Sequence, residues 1–353
     1  RARVQKDFIE NSSKQTFLIT GAGGSIGSEI SRQLLDSNPK SIILFDLSEY
    51  NLFNVERECL AIQQSKNLTT EIIPILGDIR DSGNLKSLFK KFNIDGVYHA
   101  AAYKHVPLVE NINNITKACE NNIIGTYNLA NAAIEGNVDS FVMISTDKAV
   151  RPTNVMGASK RMAEMIIQSL NTTQSNIRFS MVRFGNVINS SGSVIPLFLD
   201  QISKGGPLTV TDKKVTRYFM TIPEASNLVL QASEMAEGGE VFILDMGEQL
   251  KIYDLARKLI HLSGRNIAAE SGGEGIEIIE IGLRPGEKMY EELLISGDQL
   301  PTESPKIFKS MENFPSIQLM QPIIEDINIA ITNDDHDQLL QILQENVEDY
   351  NYE

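Results

Sequence analysis

Residues 145–160 read STDKAVRPTNVMGASK, a serine, a threonine, an acid–lysine pair, a methionine and a second lysine in one short run. Asp147 and Lys148 are titratable groups of the kind that exchange protons with a substrate hydroxyl or an acidified C–H. A helix is predicted to start after the Pro152-Thr153-Asn154 turn, placing Met156 and Lys160 four residues apart on one face. A thioether cannot usefully take up a proton at neutral pH. Met156 is therefore expected to pack near a ligand without acid–base work, and base chemistry must sit on another group. The apolar run SFVMIST (140–146) leads into this stretch. Open α/β sheets hold ligands outside the carboxyl ends of their strands, which argues against an ordinary solvated Asp–Lys pair.

Other elements must position these groups. FLIT (17–20), SIILFD (41–46), EIIPILGD (71–78), GVYHAAA (96–102), SFVMIST and RFSMVRFGN (178–186) read as buried parallel strands. Between them, SIGSEISRQLLDS and ITKACENNIIGTYNLANAAIEG carry apolar residues at helical spacing. Such alternation predicts a doubly wound α/β sheet covered on both faces. After Asn186 the pattern breaks at Gly205-Gly206-Pro207, Gly238-Gly239 and Ser271–Gly275, as expected of a smaller α/β domain at the sheet's carboxyl edge. The expected division is 1–190, 191–320 and a C-terminal segment 321–353, with the chain free to cross between the first two. That last segment should hold a helix near 334–347 and an acidic tail.

FLIT runs into Gly21-Ala22-Gly23-Gly24-Ser25-Ile26-Gly27. Gly21 suits a tight turn, Gly24 lets backbone amides approach a pyrophosphate, and Gly27 lets helix pack on strand. The helix N-terminus, from Ser25 and Ile26, then attracts phosphate through free N–H groups. Asp46, 19 residues after Gly27, ends its strand where an acid receives adenosine ribose hydroxyls. Leu47-Ser48-Glu49-Tyr50 has no Arg or Lys for a 2′-phosphate, so NAD is favoured over NADP. Asp78 and Ile79 are placed to border the adenine, and Ala100, Ala101 and Ala102 to let a cofactor lie close to the backbone. The fold predicted on these grounds is a Rossmann sheet.

The formal charge of −14 argues against nonspecific binding of nucleic acid or an anionic membrane, though not against a local basic pocket. Cys59 and Cys119 share no metal spacing and read as reduced thiols of a cytoplasmic protein; no metal is expected. No apolar run approaches the ~18–20 residues of a membrane span.

The TGxxGxxG loop, HAAAYKHVPLVE, STDKAVRPTNVMGASK, RFGNV and LRPGEK together resemble the extended short-chain dehydrogenase/reductase superfamily. Within it they resemble polysaccharide-biosynthesis UDP-N-acetylglucosamine 4,6-dehydratases, over about residues 15–310. Superfamily members usually have Tyr-x-x-x-Lys where this chain has Met156-Gly157-Ala158-Ser159-Lys160. Methionine there resembles the subgroup that retains configuration at C5; tyrosine marks those that invert it.

The resemblance implies an enzyme, a hydro-lyase with internally recycled NAD. A hydride leaves C4 as O4 loses its proton, the C5 proton is abstracted, the C6 hydroxyl leaves as water, and the hydride returns to C6. It implies Asp147 as acid for the C6 oxygen and Lys148 as base at C5, with burial and the nearby Lys160 expected to depress the Lys148 pKa. Thr146 would hold O4, and Lys160 the nicotinamide ribose. Substrate contacts are implied for Lys104, His105, Asn186, Arg217, Arg284 and Glu287, arginine forks suiting a diphosphate. Helices near 110–135 and 156–170 match those that form a four-helix bundle in superfamily dimers, so a homodimer or higher homo-oligomer is expected. Long members carry an N-terminal membrane region, and a start at RARVQKDF would fit the cytoplasmic domain of such an inner-membrane protein. The alternatives are a C5-inverting dehydratase, a UDP-hexosamine 4-epimerase, and an NAD-binding regulator without catalysis.

Overall fold

The computed structural model describes residues 13–351 apart from 175, 189, 191–192 and 294–298; the RARVQKDF segment lies outside them. The strands are β1 (Thr16–Thr20), β2 (Ser41–Asp46), β3 (Glu71–Leu76), β4 (Gly96–His99), β5 (Ser140–Ile144), β6 (Arg178–Arg183), β7 (Asn186–Ile188), β8 (Leu208–Val210), β9 (Thr216–Arg217), β10 (Phe219–Thr221), β11 (Val241–Leu244), β12 (Leu250–Lys251), β13 (Ile278–Glu280), β14 (Leu300–Pro301) and β15 (Ile307–Ser310). Nine of them form one sheet in the order β14-β15-β11-β6-β5-β4-β1-β2-β3. From β3 to β11 neighbours run parallel, and β15 and β14 close the far edge antiparallel.

Burial explains the continuous apolar strands. Every residue of β1 and β2 is buried, whereas the edge strand β3 is not. Side chains alternate between two cores: Leu18, Ile43 and Phe45 enter one, and Phe17, Ile19, Ile42 and Leu44 the other. The second core is covered by α1 (Ser25–Leu34), α2 (Glu49–Lys66) and helix Ile222–Met235. The first is covered by α3 (Ser82–Lys91), α4 (Ile112–Cys119), α5 (Gly125–Glu135), α6 (Val155–Asn171) and a C-terminal hairpin of α7 (Ile317–Thr332) and α8 (His336–Asn346). The doubly wound sheet is as expected.

Several details differ from the sequence reading. Strands β3, β4 and β5 stop at 76, 99 and 144, so 77–78, 100–102 and 145–146 have left the sheet and are free to face a ligand. RFSMVRFGN divides, because Asn186 turns away to pair β7 with β10. A separate core (Phe198, Ile202, Leu208, Val210, Ile252, Ile260) defines a smaller lobe, yet β11, β14 and β15 return from the C-terminal half to complete the main sheet. The 115–136 helix is broken by a π-helical turn at Glu120–Ile124. Helix α7 has no counterpart in the sequence reading, which Pro322 inside it obscured. The hairpin α7–α8 packs on α4 and α6, and α6 is buried along its length from Val155 to Leu170. A four-helix bundle through those helices is therefore unavailable to a second copy, since the chain covers that face itself.

Candidate active site

The order of strands reverses between β1 and β4, and loops leaving their carboxyl ends enclose two adjoining cavities. The smaller, about 330 Å³, is lined by Gly21, Gly24, Asp46, Ser48, Asp78, Ile79 and Ala100–Ala102. Gly21 has φ +63°, and a Cβ there would lie 2.7 Å from the Ala101 amide nitrogen, so both the turn and the close approach require glycine. Asp46 accepts the amides of Gly23 and Ser48, both at 2.8 Å, which fixes its carboxylate beside the glycine turn. Ser48 caps α2 by accepting the Asn51 amide. Asp78 is gripped by Arg80, whose guanidinium outweighs burial and holds the carboxyl below its usual range.

The larger cavity, about 450 Å³, joins the first at Gly24, Ala100 and Ala102. It gathers Ser25, Ile26, Gly27, Lys104, His105, Thr146, Lys148, Met156, Lys160, Asn186, Arg217, Arg284 and Glu287. Of the residues singled out in the sequence, Asp147 alone lies behind the wall. It is fully buried, and its Oδ1 accepts Thr146 Oγ1 at 2.9 Å and Lys148 Nζ at 3.0 Å. Asp147 Oδ2 is buried with no hydrogen-bond partner among the described residues. Lys148 Nζ also donates to Asn186 Oδ1 at 3.2 Å.

Helix α6 begins as the sequence predicts. Asn154 caps it by accepting the Gly157 amide at 2.8 Å. A Cβ on Gly157 would lie 2.1 Å from the Lys148 carbonyl oxygen, so glycine lets the helix seat directly on the loop that carries the Asp–Lys pair. Met156, 2% exposed, packs at the cavity wall. Lys160 Nζ donates to the Ile144 carbonyl at 2.8 Å, and burial draws its pKa down to about 8 against the opposing charge of Glu164.

One electrostatic expectation is overturned. Burial does push Lys148 down, but the charges of Asp147 and Glu291 outweigh it and hold the lysine above its ordinary value. The cation that opposes them is Arg217, not Lys160. Lys104 does shift down, through burial and the charge of Lys148, and His105 shifts down through burial and Lys104.

Arg217 is buried; it donates to Glu287 Oε1 at 3.1 Å and to the Thr216 carbonyl at 2.7 Å. The Arg284 amide donates to Glu287 Oε2 at 3.3 Å, while the residue itself is exposed at the rim. The Gly286 carbonyl accepts Thr153 Oγ1 and Asn154 Nδ2, locking the LRPGEK loop to the start of α6. Sequence reasoning missed three contributors. Asn122, in the π-helical turn, accepts the Tyr103 amide and donates to the Tyr103 carbonyl and Ser159 Oγ, holding the 103–105 loop at the cavity. Glu164 accepts Ser145 Oγ at 2.6 Å. Glu291, three residues beyond the LRPGEK motif, lines the cavity; its signal was the acid pair Glu291-Glu292 shortly after Glu287.

A glycine turn at the switch point of a parallel sheet, with an Asp–Lys pair beyond the carboxyl end of the nearby strand β5, defines an extended short-chain dehydrogenase/reductase fold. The chain belongs to the polysaccharide biosynthesis protein family, whose model matches residues 17–312. It is 49% identical over 329 residues to the capsular polysaccharide biosynthesis protein CapD of Staphylococcus aureus, covering 93% of this chain and 53% of that protein. A UDP-N-acetylglucosamine 4,6-dehydratase (inverting) of Campylobacter jejuni is 33% identical, over 81% of this chain and 79% of its own length. Among solved structures, Pen from Bacillus thuringiensis superposes with a TM-score of 0.71 at 35% identity, covering 89% of this chain and 98% of that one. DesIV, a dTDP-glucose 4,6-dehydratase from Streptomyces venezuelae solved with NAD and TYD bound, shares the fold at TM-score 0.65 and 23% identity, over 79% and 88%. The chain spans about half the length of the curated relatives CapD and EpsC.

Proposed function

We propose that this chain is the catalytic part of an NAD-dependent UDP-N-acetylglucosamine 4,6-dehydratase that retains configuration at C5, serving bacterial surface-glycan synthesis in the cytoplasm. One observation carries the reading: Thr146, Lys148, Met156 and Lys160 line one wall of the larger cavity, with Asp147 bonded to Thr146 and Lys148 directly behind it.

The smaller cavity fits the adenosine end of NAD. Asp46 is fixed to meet ribose hydroxyls, and the close backbone approach at Gly21 leaves a shallow floor. Lys160 would hold the nicotinamide ribose. NAD when bound supplies a hydride acceptor for C4 that later returns the hydride to C6. The larger cavity takes the sugar nucleotide, with Arg284 and Arg217 toward its diphosphate and Glu287 toward its ribose; Lys104, His105 and Asn186 line the path to the sugar.

The residues then move two protons out and two back. The O4 proton passes through the Thr146 hydroxyl to Asp147, which it already contacts at 2.9 Å. Lys148 takes the C5 proton once a C4 ketone acidifies it. The Asp147 proton passes back through the Thr146 hydroxyl to the C6 oxygen, which leaves as water, and Lys148 returns its proton to C5 on the face it came from. The result is net loss of water with retention. Met156 cannot hold a proton and so adds no base on the α6 side of the sugar.

The experiment is incubation of the protein with UDP-N-acetylglucosamine in D₂O without added NADH, followed by proton NMR. A 4-keto-6-deoxy product that keeps the substrate's H1–H2 and H2–H3 couplings is expected; no keto product, or a requirement for consumed reductant, refutes the reading. The resemblance to the inverting C. jejuni dehydratase favours the second reading, a C5-inverting dehydratase, which altered H1–H2 and H2–H3 ring couplings would select. An oligomer of this chain would pair through faces other than α4 and α6.

A further inference from the structure

Lys148 can remove the C5 proton only as a free amine, yet Asp147 beside it favours the ammonium form. Its proton needs a destination within the site. The Glu291 side chain is 3% exposed, with Oε1 3.9 Å from Lys148 Nζ and 4.0 Å from Arg217 Nε. Its Oε2 is buried with no hydrogen-bond partner among the described residues. Arg217 is not its dedicated partner, because the Nη atoms of that guanidinium already serve Glu287 and two backbone carbonyls. The Glu291 carbonyl accepts Gln249 Nε2 at 2.8 Å, which anchors the backbone behind the carboxyl.

We propose that Glu291 is the proton store of Lys148: one proton moves from Lys148 Nζ to the Glu291 carboxylate before C5 is attacked and returns after the cycle. An N–H bond breaks and an O–H bond forms, leaving both side chains neutral. Nothing is oxidised or reduced, and no external acid is consumed. The charged groups facing Glu291 are Lys148, Arg217 and Lys288, which favour its ionised form, and Asp147, which opposes it. Burial is the largest influence and moves the carboxyl upward, toward holding a proton. Neutralising the pair also separates Lys148 from Asp147, freeing that carboxylate for the O4 proton. Glu291 acts through Lys148 and is a positioning residue in that sense. The inference rests on the dehydratase reading and names the missing partner of its base.

The test compares the unaltered protein with Glu291→Gln and Glu291→Asp, each bound to NAD, on UDP-N-acetylglucosamine across pH 6–10. Glu291→Gln should bind NAD normally and lose about 10²–10³-fold in kcat at neutral pH, with KM little changed. Its rate should climb about tenfold per pH unit toward alkaline pH, because Lys148 must then lose its proton to solvent. Glu291→Asp keeps an acid and should turn over more slowly with the unaltered protein's pH profile. Turnover by Glu291→Gln within about threefold of the unaltered protein, with the same profile, overturns the proposal. If the Gln variant does not bind NAD, Glu291→Asp decides: a steep alkaline climb in that variant overturns it as well. Failure of the unaltered protein to form a 4-keto-6-deoxy product sinks the dehydratase reading instead, so the two failures are separable.

Discussion

Two buried charge clusters lie on either side of the carboxyl ends of β5 and β6, and they are built to opposite standards. In the first, Arg183 donates to Glu164 at 2.5 and 2.8 Å and to Glu312 at 2.6 and 2.8 Å, while Arg161 adds bonds to Glu164 and to the Asn313 carbonyl. Every carboxylate oxygen of that cluster has a donor. In the second, Asp147, Glu291 and Arg217 are buried and Lys148 opens on the cavity, but Asp147 Oδ2 and Glu291 Oε2 are left without partners among the described residues and the Lys148–Glu291 gap is 3.9 Å. A buried carboxylate is tolerated when fully bonded and costly when not. The matched cluster is scaffold; the mismatched one holds proton affinity in reserve.

Substitutions in the two clusters should therefore part stability from activity. The largest effect is expected of Asp147→Asn, a loss of about 10²–10⁴-fold in kcat with NAD affinity and melting temperature nearly unchanged. Turnover assays beside thermal denaturation check both halves. Glu164→Gln should do the reverse first, costing about 3–5 kcal/mol by stranding Arg183 in the core; denaturant unfolding measures it. The Glu164 carboxyl is drawn down to about 2, chiefly because Arg183 overrides burial, so its folded pKa lies below its unfolded one. Its stabilisation is full above the unfolded value and should drain away as pH falls from there toward about 2, which acid titration of the melting point will show.

Lys160 tests the cofactor end. Its folded pKa of about 8 is below that of a free lysine, so the cationic ribose anchor is lost as pH rises through about 8. NAD affinity by calorimetry should weaken across that range, while fold stability gains as the unfolded lysine retains its proton longer. The smallest effect belongs to Met156→Leu. A volume-conserving exchange against the cavity wall should change kcat less than about threefold and leave C5 configuration alone, unless Met156 has chemistry beyond packing.

The sequence made the cofactor end readable because its constraints are local. A glycine turn, a strand-end acid and three alanines keep their spacing whatever the rest of the chain does, and all line the smaller cavity. The Asp147–Lys148 pair and the start of α6 were legible for the same reason. What stayed hidden is long-range. Glu164, Arg183 and Glu312 are scattered over 149 positions, and only the register of β6 beside α6 makes one cluster of them. The upward shift of Lys148 was likewise invisible, since its second carboxylate arrives from residue 291. The self-covering hairpin was missed because Pro322 reads as a helix breaker, although it sits in the second turn of a helix that packing sustains.

The place of Glu312 has a consequence for the order in which the protein is made. Arg183 on the inner strand β6 is completed only by a residue 129 positions later, and α6 is covered only by the hairpin that follows it. A ribosome that has delivered the whole nucleotide half has still produced an open sheet with a guanidinium paired only to Glu164 and an uncovered helix. The catalytic half therefore cannot settle until Glu312 and the α7–α8 hairpin have been made, and chaperones would be needed for that interval rather than for the finished fold.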